Sequence, residues 1–196
     1  MADVVSTGKF LSLADRRNDL TRQAILDAAL QELEHVTVSE LTVRGVAKRA
    51  RISERTVFRY FASRDEFLDA VANEARLKLT VPQPRSREEL LAYPRSLFSH
   101  FERLEKLAKS ALHSDLFHRM RESVGRQRWA AVRKIVDEVA PRRSERERRI
   151  AAANIRYYLS ASAWHYYRFY FGFSLEDTVA AAETAIRQTL AGLTAR

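Results

Sequence analysis

Arg51, Arg55 and Arg59 stand four residues apart in the stretch RISERTVFRYFASRDEF, residues 51–67, interleaved with Ile52, Val57, Phe58, Tyr60 and Phe61. On a helix, residues four apart are neighbours on one side, so the stretch offers a cationic row and an apolar row at once. A guanidinium is a planar fork of N–H donors that bonds guanine O6 and N7 in pairs or clamps phosphate oxygens. Around this stretch, residues 41–64 carry seven basic groups (Arg44, Lys48, Arg49, Arg51, Arg55, Arg59 and Arg64) against one acid, Glu54. The whole chain has 34 Lys and Arg against 25 Asp and Glu, a net charge of +9, which points to a polyanionic partner or an acidic surface. Residues 119–149 are basic too, but acids and bases are mixed there as on a solvated helical face.

The elements that must position these arginines read as helices. Only five glycines and four prolines punctuate 196 residues, and no alternating strand-like run stands out, so the expected fold is all-α. Ser63-Arg64-Asp65-Glu66, Ser86-Arg87-Glu88-Glu89 and Ser144-Glu145-Arg146-Glu147 match the capping box, and Thr21, Thr42, Ser53 and Ser174 fit simple caps. The spacing predicts helices near 21–36, 42–50, 53–61, 63–80, 86–108, 115–139, 144–171 and 174–194, the fifth bent or broken at Pro94. The connector VPQPRS, 81–86, separates short helices from long ones, with helix 63–80 shared between them. The expected units are a flexible arm at 1–20, a small helical domain at 21–66 and a larger one at 67–196.

In the front unit, Val46, Ala47, Ala50, Ile52, Val57 and Phe61 can bury a small core between two short helices joined by a tight turn. That is a helix-turn-helix, whose second helix enters the major groove of DNA. Arg55 and Arg59 then face base edges and phosphates, Ser53 caps the recognition helix, and Arg64 reaches the backbone on the flank.

The run from Thr21 to about Leu68 resembles the DNA-binding domain of the tetracycline-repressor (TetR) family of bacterial transcriptional regulators. The residues that carry the likeness are Ile25, Ala28 and Ala29; Leu41 to Ala47; Ile52-Ser53; Thr56-Val57-Phe58 with Tyr60-Phe61; and Ser63 to Leu68. The resemblance implies Arg44, Glu54, Arg55, Thr56 and Arg59 on the base side, and Phe58, Tyr60 and Arg64 against the backbone. Arg51 stands where the family usually has glycine in the turn, and a non-glycine there in a left-handed conformation costs on the order of 1 kcal/mol. The turn is expected to survive, with Arg51 adding a phosphate contact. Phe58 stands at a position that is commonly tyrosine and lacks its hydroxyl.

For the rear unit the resemblance implies a ligand-binding and dimerisation domain. One stripe of the seventh predicted helix runs Ile150, Asn154, Tyr157, Ala161, Trp164, Arg168, Phe171, and another Ala151, Ile155, Tyr158, Ser162, Tyr166, Phe169. A helix that is apolar on more than one side is buried on more than one side. Val179, Ala182, Ile186, Thr189, Leu190 and Leu193 form a face on the last helix, and a homodimer through the last two helices is expected. A pocket among helices 86–108, 115–139 and 144–171 is expected to be lined by Phe98, Phe101, Phe117, Trp129, Tyr157, Tyr158 and Trp164, with Asn154 or His165 orienting a ligand. Such a lining leans toward an apolar or aromatic small-molecule effector.

Other classes find little support. Without cysteine there is no thiolate metal site or disulfide, and His100, His113 and His118 are not spaced as ligands, so no metal and no cofactor is expected. No phosphate-cradling glycine loop or nucleophile motif is present, so the protein is not expected to be an enzyme. The opening segment has no basic leader with an apolar core, and no apolar run reaches membrane-spanning length; a soluble cytoplasmic protein without a membrane partner is expected. The leading reading is a homodimeric transcriptional repressor on a near-palindromic double-stranded DNA operator, released by a small effector. The rivals are a small helical ligand-binding protein or enzyme using the rear pocket, and a DNA-binding regulator or nucleoid-associated protein without an effector.

Overall fold

The computed structural model describes residues 12–112 and 115–194, with side chains outside 113–124. Ten α-helices run through the described residues: α1 Leu13–Glu32, α2 Val43–Ala50, α3 Glu54–Tyr60, α4 Arg64–Leu79, α5 Arg87–Arg103, α6 Glu105–Leu112, α7 Asp115–Val139, α8 Glu145–Tyr158, α9 Ala161–His165 and α10 Leu175–Thr194. The all-α reading holds, with no strand among the described residues.

Hydroxyl caps start most of these helices. Ser12, Thr42, Ser53, Ser63, Ser86, Ser144 and Ser160 each accept a hydrogen bond from the backbone N–H three residues on, satisfying a donor the helix itself leaves open. Ser12 and Ser144 are full capping boxes, closed by Asp15 and Glu147. The box at Ser12 starts α1 eight residues before Thr21, so residues 13–20 of the expected arm are helical, with every side chain exposed.

Two further boundaries differ from expectation. Pro94 sits buried inside an unbroken α5, and the interruption falls at Leu104 instead. The expected helix 144–171 is three pieces. α8 ends at Tyr158, Ser160 caps the short α9, and a π-helical turn follows over Tyr166–Tyr170, closed by Phe171 N–H donating to Tyr166 O at 3.0 Å. The aromatic stripe runs through all three, so periodicity alone carries no sign of the breaks.

One continuous apolar core runs from Ile25 in α1 to Leu193 in α10. α4 packs on α1 on one side and on α7 on the other, making it the bridge between front and rear. At its start Phe67 meets Phe61 edge-on, with ring centroids 5.3 Å apart. Toward its end Lys78 pairs with Asp27 of α1 at 2.9 Å. In the rear, α10 lies on α5 and α8, and α7 on α8. Val179, Ala182, Ile186 and Leu190, expected at a subunit interface, are fully buried within the chain in that packing.

Candidate nucleic-acid interface

α2 ends in a Schellman turn. Ile52 N–H donates to Ala47 O at 3.0 Å and Arg51 N–H to Lys48 O at 3.2 Å, which forces Arg51 to φ 56°, ψ 42°. Arg51 is the one non-glycine residue with positive φ among those described, at the place where the resemblance implied glycine. The turn delivers Ser53 to the start of α3, where its Oγ accepts from Thr56 N at 3.1 Å and shares a 2.8 Å hydrogen bond with Thr56 Oγ1. Thr42 caps α2 by accepting from Gly45 N at 3.0 Å. A Cβ on Gly45 would lie 3.2 Å from Thr42 Oγ1 and 3.3 Å from Glu32 Oε1, the carboxylate that ties α1 to Arg49. Glycine lets that cap and that ion pair coexist.

Val46, Ala47, Val57 and Phe61 are buried, and Ile52 packs on them from the turn. With one side of α3 pinned, the other turns outward: Glu54, Arg55 and Arg59 are exposed and Phe58 is 52 % exposed, with Thr56 and Tyr60 half-buried. Ser53, Arg55, Thr56, Phe58 and Arg59 line a shallow concavity of about 400 Å³. Among the described residues, no side chain pairs with the guanidinium of Arg44, Arg51 or Arg55, or with the Lys48 ammonium, and all four groups are exposed. Arg59 lies over the Tyr60 ring at 5.3 Å. Arg64 donates to Leu41 O at 3.3 Å, so part of its fork is committed to the fold.

Residues 25–71 match the family described as bacterial regulatory proteins, tetR family. The chain carries a tetR-family DNA-binding segment there. Its front unit is therefore a helix-turn-helix that binds DNA in the regulation of transcription. No curated protein matches the chain. Among solved structures it is similar to a TetR transcriptional regulator from Rhodococcus sp. RHA1, at TM-score 0.54 and 18 % identity, covering 90 % of this chain and 99 % of the other. A TetR-like transcriptional regulator from the same organism gives TM-score 0.61 at 18 % identity, covering 93 % and 99 %. At that identity the likeness extends the TetR fold over the rear unit. Lys48 within the matched segment, and Arg16 and Arg17 on the α1 extension before it, are exposed cations not counted among the site residues from the sequence; their local charge density was the available signal.

The aromatics expected to line a rear pocket are divided among three places. Phe98, Phe101 and Trp164 are buried on one another, with centroids of 6.4 Å between the phenylalanines and 5.6 Å from Phe101 to Trp164. The Trp164 indole donates to Glu102 Oε1 at 2.8 Å, and Arg168 donates to both oxygens of the same carboxylate. Those bonds, Arg168's first, hold the Glu102 carboxyl below its ordinary range. His165 is half-buried, its ring 5.2 Å from Phe169. Asn154 and Tyr157 face outward on α8, where Tyr157 meets the half-buried Tyr158 edge-on. Trp129 is half-buried on α7, at a separate shallow hollow with Arg133 and Asp137. Phe117, like His113 and His118, lies outside the residues whose side chains are described. A cleft of about 740 Å³ opens between α1 and the α5–α6 junction, and none of the expected aromatics lines it.

A different constellation lies where α4 ends. The Tyr93 hydroxyl donates to Val81 O at 3.2 Å and accepts from Gln83 at 2.8 Å, pinning the connector to α5. Arg128 of α7 donates to Thr80 Oγ1 at 3.3 Å, and Arg156 of α8 donates to Leu159 O at 3.2 Å. Burial pushes both guanidinium groups down, and Arg128 pushes Arg156 further, to about 10. Tyr93 is pushed up by its own burial and lies near enough to act on both arginines.

Among the described residues, no membrane-length apolar helix is present.

Proposed function

We propose that the chain is a homodimeric repressor that binds a near-palindromic operator and is released by a small molecule acting on the rear unit. The observation that carries the reading is the exposed row on α3, Arg55, Phe58 and Arg59, held outward by a capped helix whose other side is buried. Arg55 and Arg59, with Arg44, Glu54 and Thr56, read base edges. Arg51, Ser53, Phe58, Tyr60 and Arg64 contact sugar and phosphate.

Dimerisation through the last two helices is supported by faces left outside the core. Ile150, Asn154 and Tyr157 on α8 and Ala180, Thr184 and Gln188 on α10 are exposed, and the small side chains on α10 allow a partner helix to approach closely. A twofold pair sets two recognition helices one DNA turn apart or a multiple of it. Release is a population shift: an effector that favours a different α4 position lowers operator affinity by the coupling free energy. The protein acts in the cytoplasm and catalyses no reaction.

The test is enrichment of a randomised duplex library on the purified protein at physiological salt, followed by sequencing. A palindrome with half-sites about one turn apart supports the reading. A folded dimer that enriches no motif overturns it.

A further inference from the structure

Arg128 and Arg156 come from α7 and α8, which pack on each other, and Arg128 meets the end of α4 next to Tyr93: it holds Thr80 while the Tyr93 hydroxyl holds Val81. Arg76, on the last turn of α4, acts on Arg128 as a further like charge while its own fork is held by Asn73. Each guanidinium has five N–H donors. Among the described residues, Arg128 uses one on Thr80 and Arg156 one on Leu159 O, and no carboxylate pairs with either. Elsewhere in the rear unit the pattern is the reverse: Arg133 is paired with Asp137 and Glu145, Arg148 with Asp137, and Arg168 with Glu102.

Half-buried like charges with open donors are an unfavourable arrangement for a chain folding alone, since burial removes hydration and the neighbour repels. Both remain charged at neutral pH, Arg156 even at its lowered value of about 10. The arrangement becomes favourable when an anion enters, because fork-shaped donors and a carboxylate or phosphate form short, charge-assisted pairs.

We infer that Arg128 and Arg156, with Tyr93 and Thr80, form a binding site for the oxyanion of a small organic acid or phosphate, placed against the end of α4. The inference rests on the proposed effector control and gives that effector its chemistry: an anionic head. Thr80 follows α4 directly and its Oγ donates back to Arg76 O at 2.6 Å, so an anion that draws Arg128 away from Thr80 Oγ1 acts on the last turn of the bridging helix.

The test uses the full chain, with thermal midpoint and isothermal titration as readouts. The probes are decanoate, benzoate and inorganic phosphate, against decanamide and benzamide at matched ionic strength. At least one anion should raise the midpoint saturably while its neutral counterpart does not; a response to phosphate alone assigns a phosphorylated ligand, and a response to the acids a carboxylate. Arg156→Met should abolish the response and leave the probe-free midpoint unchanged or raised. The Arg55→Ala, Arg59→Ala double variant should keep the response, which separates this site from the DNA face. Equal response to acids and amides, no response to any anion, or retention in Arg156→Met overturns the site. Should Arg156→Met fail to fold, Arg128→Gln and the acid-against-amide comparison on the native chain still decide. A probe that binds but leaves operator affinity unchanged upholds the site and removes its role in release.

Discussion

Arg55 on α3 and Arg156 on α8 carry the same group in opposite surroundings. The first is hydrated, and staying unpaired costs it nothing until a phosphate or a guanine arrives. The second has lost part of its water and found one carbonyl in return. An exposed cation sets how a surface attracts a polyanion, whereas a half-buried one holds its open donors for a small anion, as proposed above. The front can therefore be weakened without touching stability, whereas changes in the rear are felt by the fold.

The largest effect that separates the two regions is on operator affinity. Arg55→Ala should weaken binding by about 1–3 kcal/mol, roughly 5- to 150-fold, and relax one base position while the thermal midpoint stays put, as titration on operator variants would show. A comparable loss in the rear has the opposite signature. Glu102→Ala leaves the buried Trp164 indole and Arg168 without their acceptor, and denaturant unfolding should report about 2 kcal/mol of lost stability with operator affinity of the folded protein unchanged.

Acid sharpens the same contrast. The carboxyl of Glu102 is held below its ordinary value of 4.5, so its contribution is fully present above that pH and is lost as pH falls through the lowered value. Midpoints of the wild type and Glu102→Gln should differ at pH 7, begin to approach each other below about 4.5 and converge as pH falls through the lowered value. At the turn, Arg51→Gly removes the left-handed strain but loosens the unfolded chain. Unfolding should show a gain of about 0.5–1 kcal/mol while DNA binding weakens. The smallest effect is the subtlest in form: Arg64→Ala should weaken all sequences alike and lower the log–log salt slope by about 1.

Much of the front was legible. Thr42, the Arg51 turn and Ser53 lie at fixed offsets, and each offset is a local hydrogen bond, which depends on neighbours in sequence. α7 was readable at both ends. The start of α1 was missed because LADRRNDL has no apolar stripe; it is helical through the cap at Ser12 with every side chain in solvent. Phe98, Phe101 and Trp164 were expected to line a pocket; the sequence did not show that they pack on one another instead. Nothing in the sequence pointed to Arg128 and Arg156, since 28 positions separate them and only the packing of α7 on α8 brings them together.

The π-helical turn at Tyr166–Tyr170 has a consequence of phase. A bond from residue 171 to 166 spans five positions where an α-helix spans four, so the helix ends one residue out of the α-helical count, about 100° of rotation. Tyr170 and Phe171 stand exposed beside Tyr166 on that turn, with Phe173 stacked on Tyr167 at 5.8 Å. Deleting a single residue from the turn would restore the ordinary count and swing the aromatic ridge to another azimuth, with composition and charge almost unchanged.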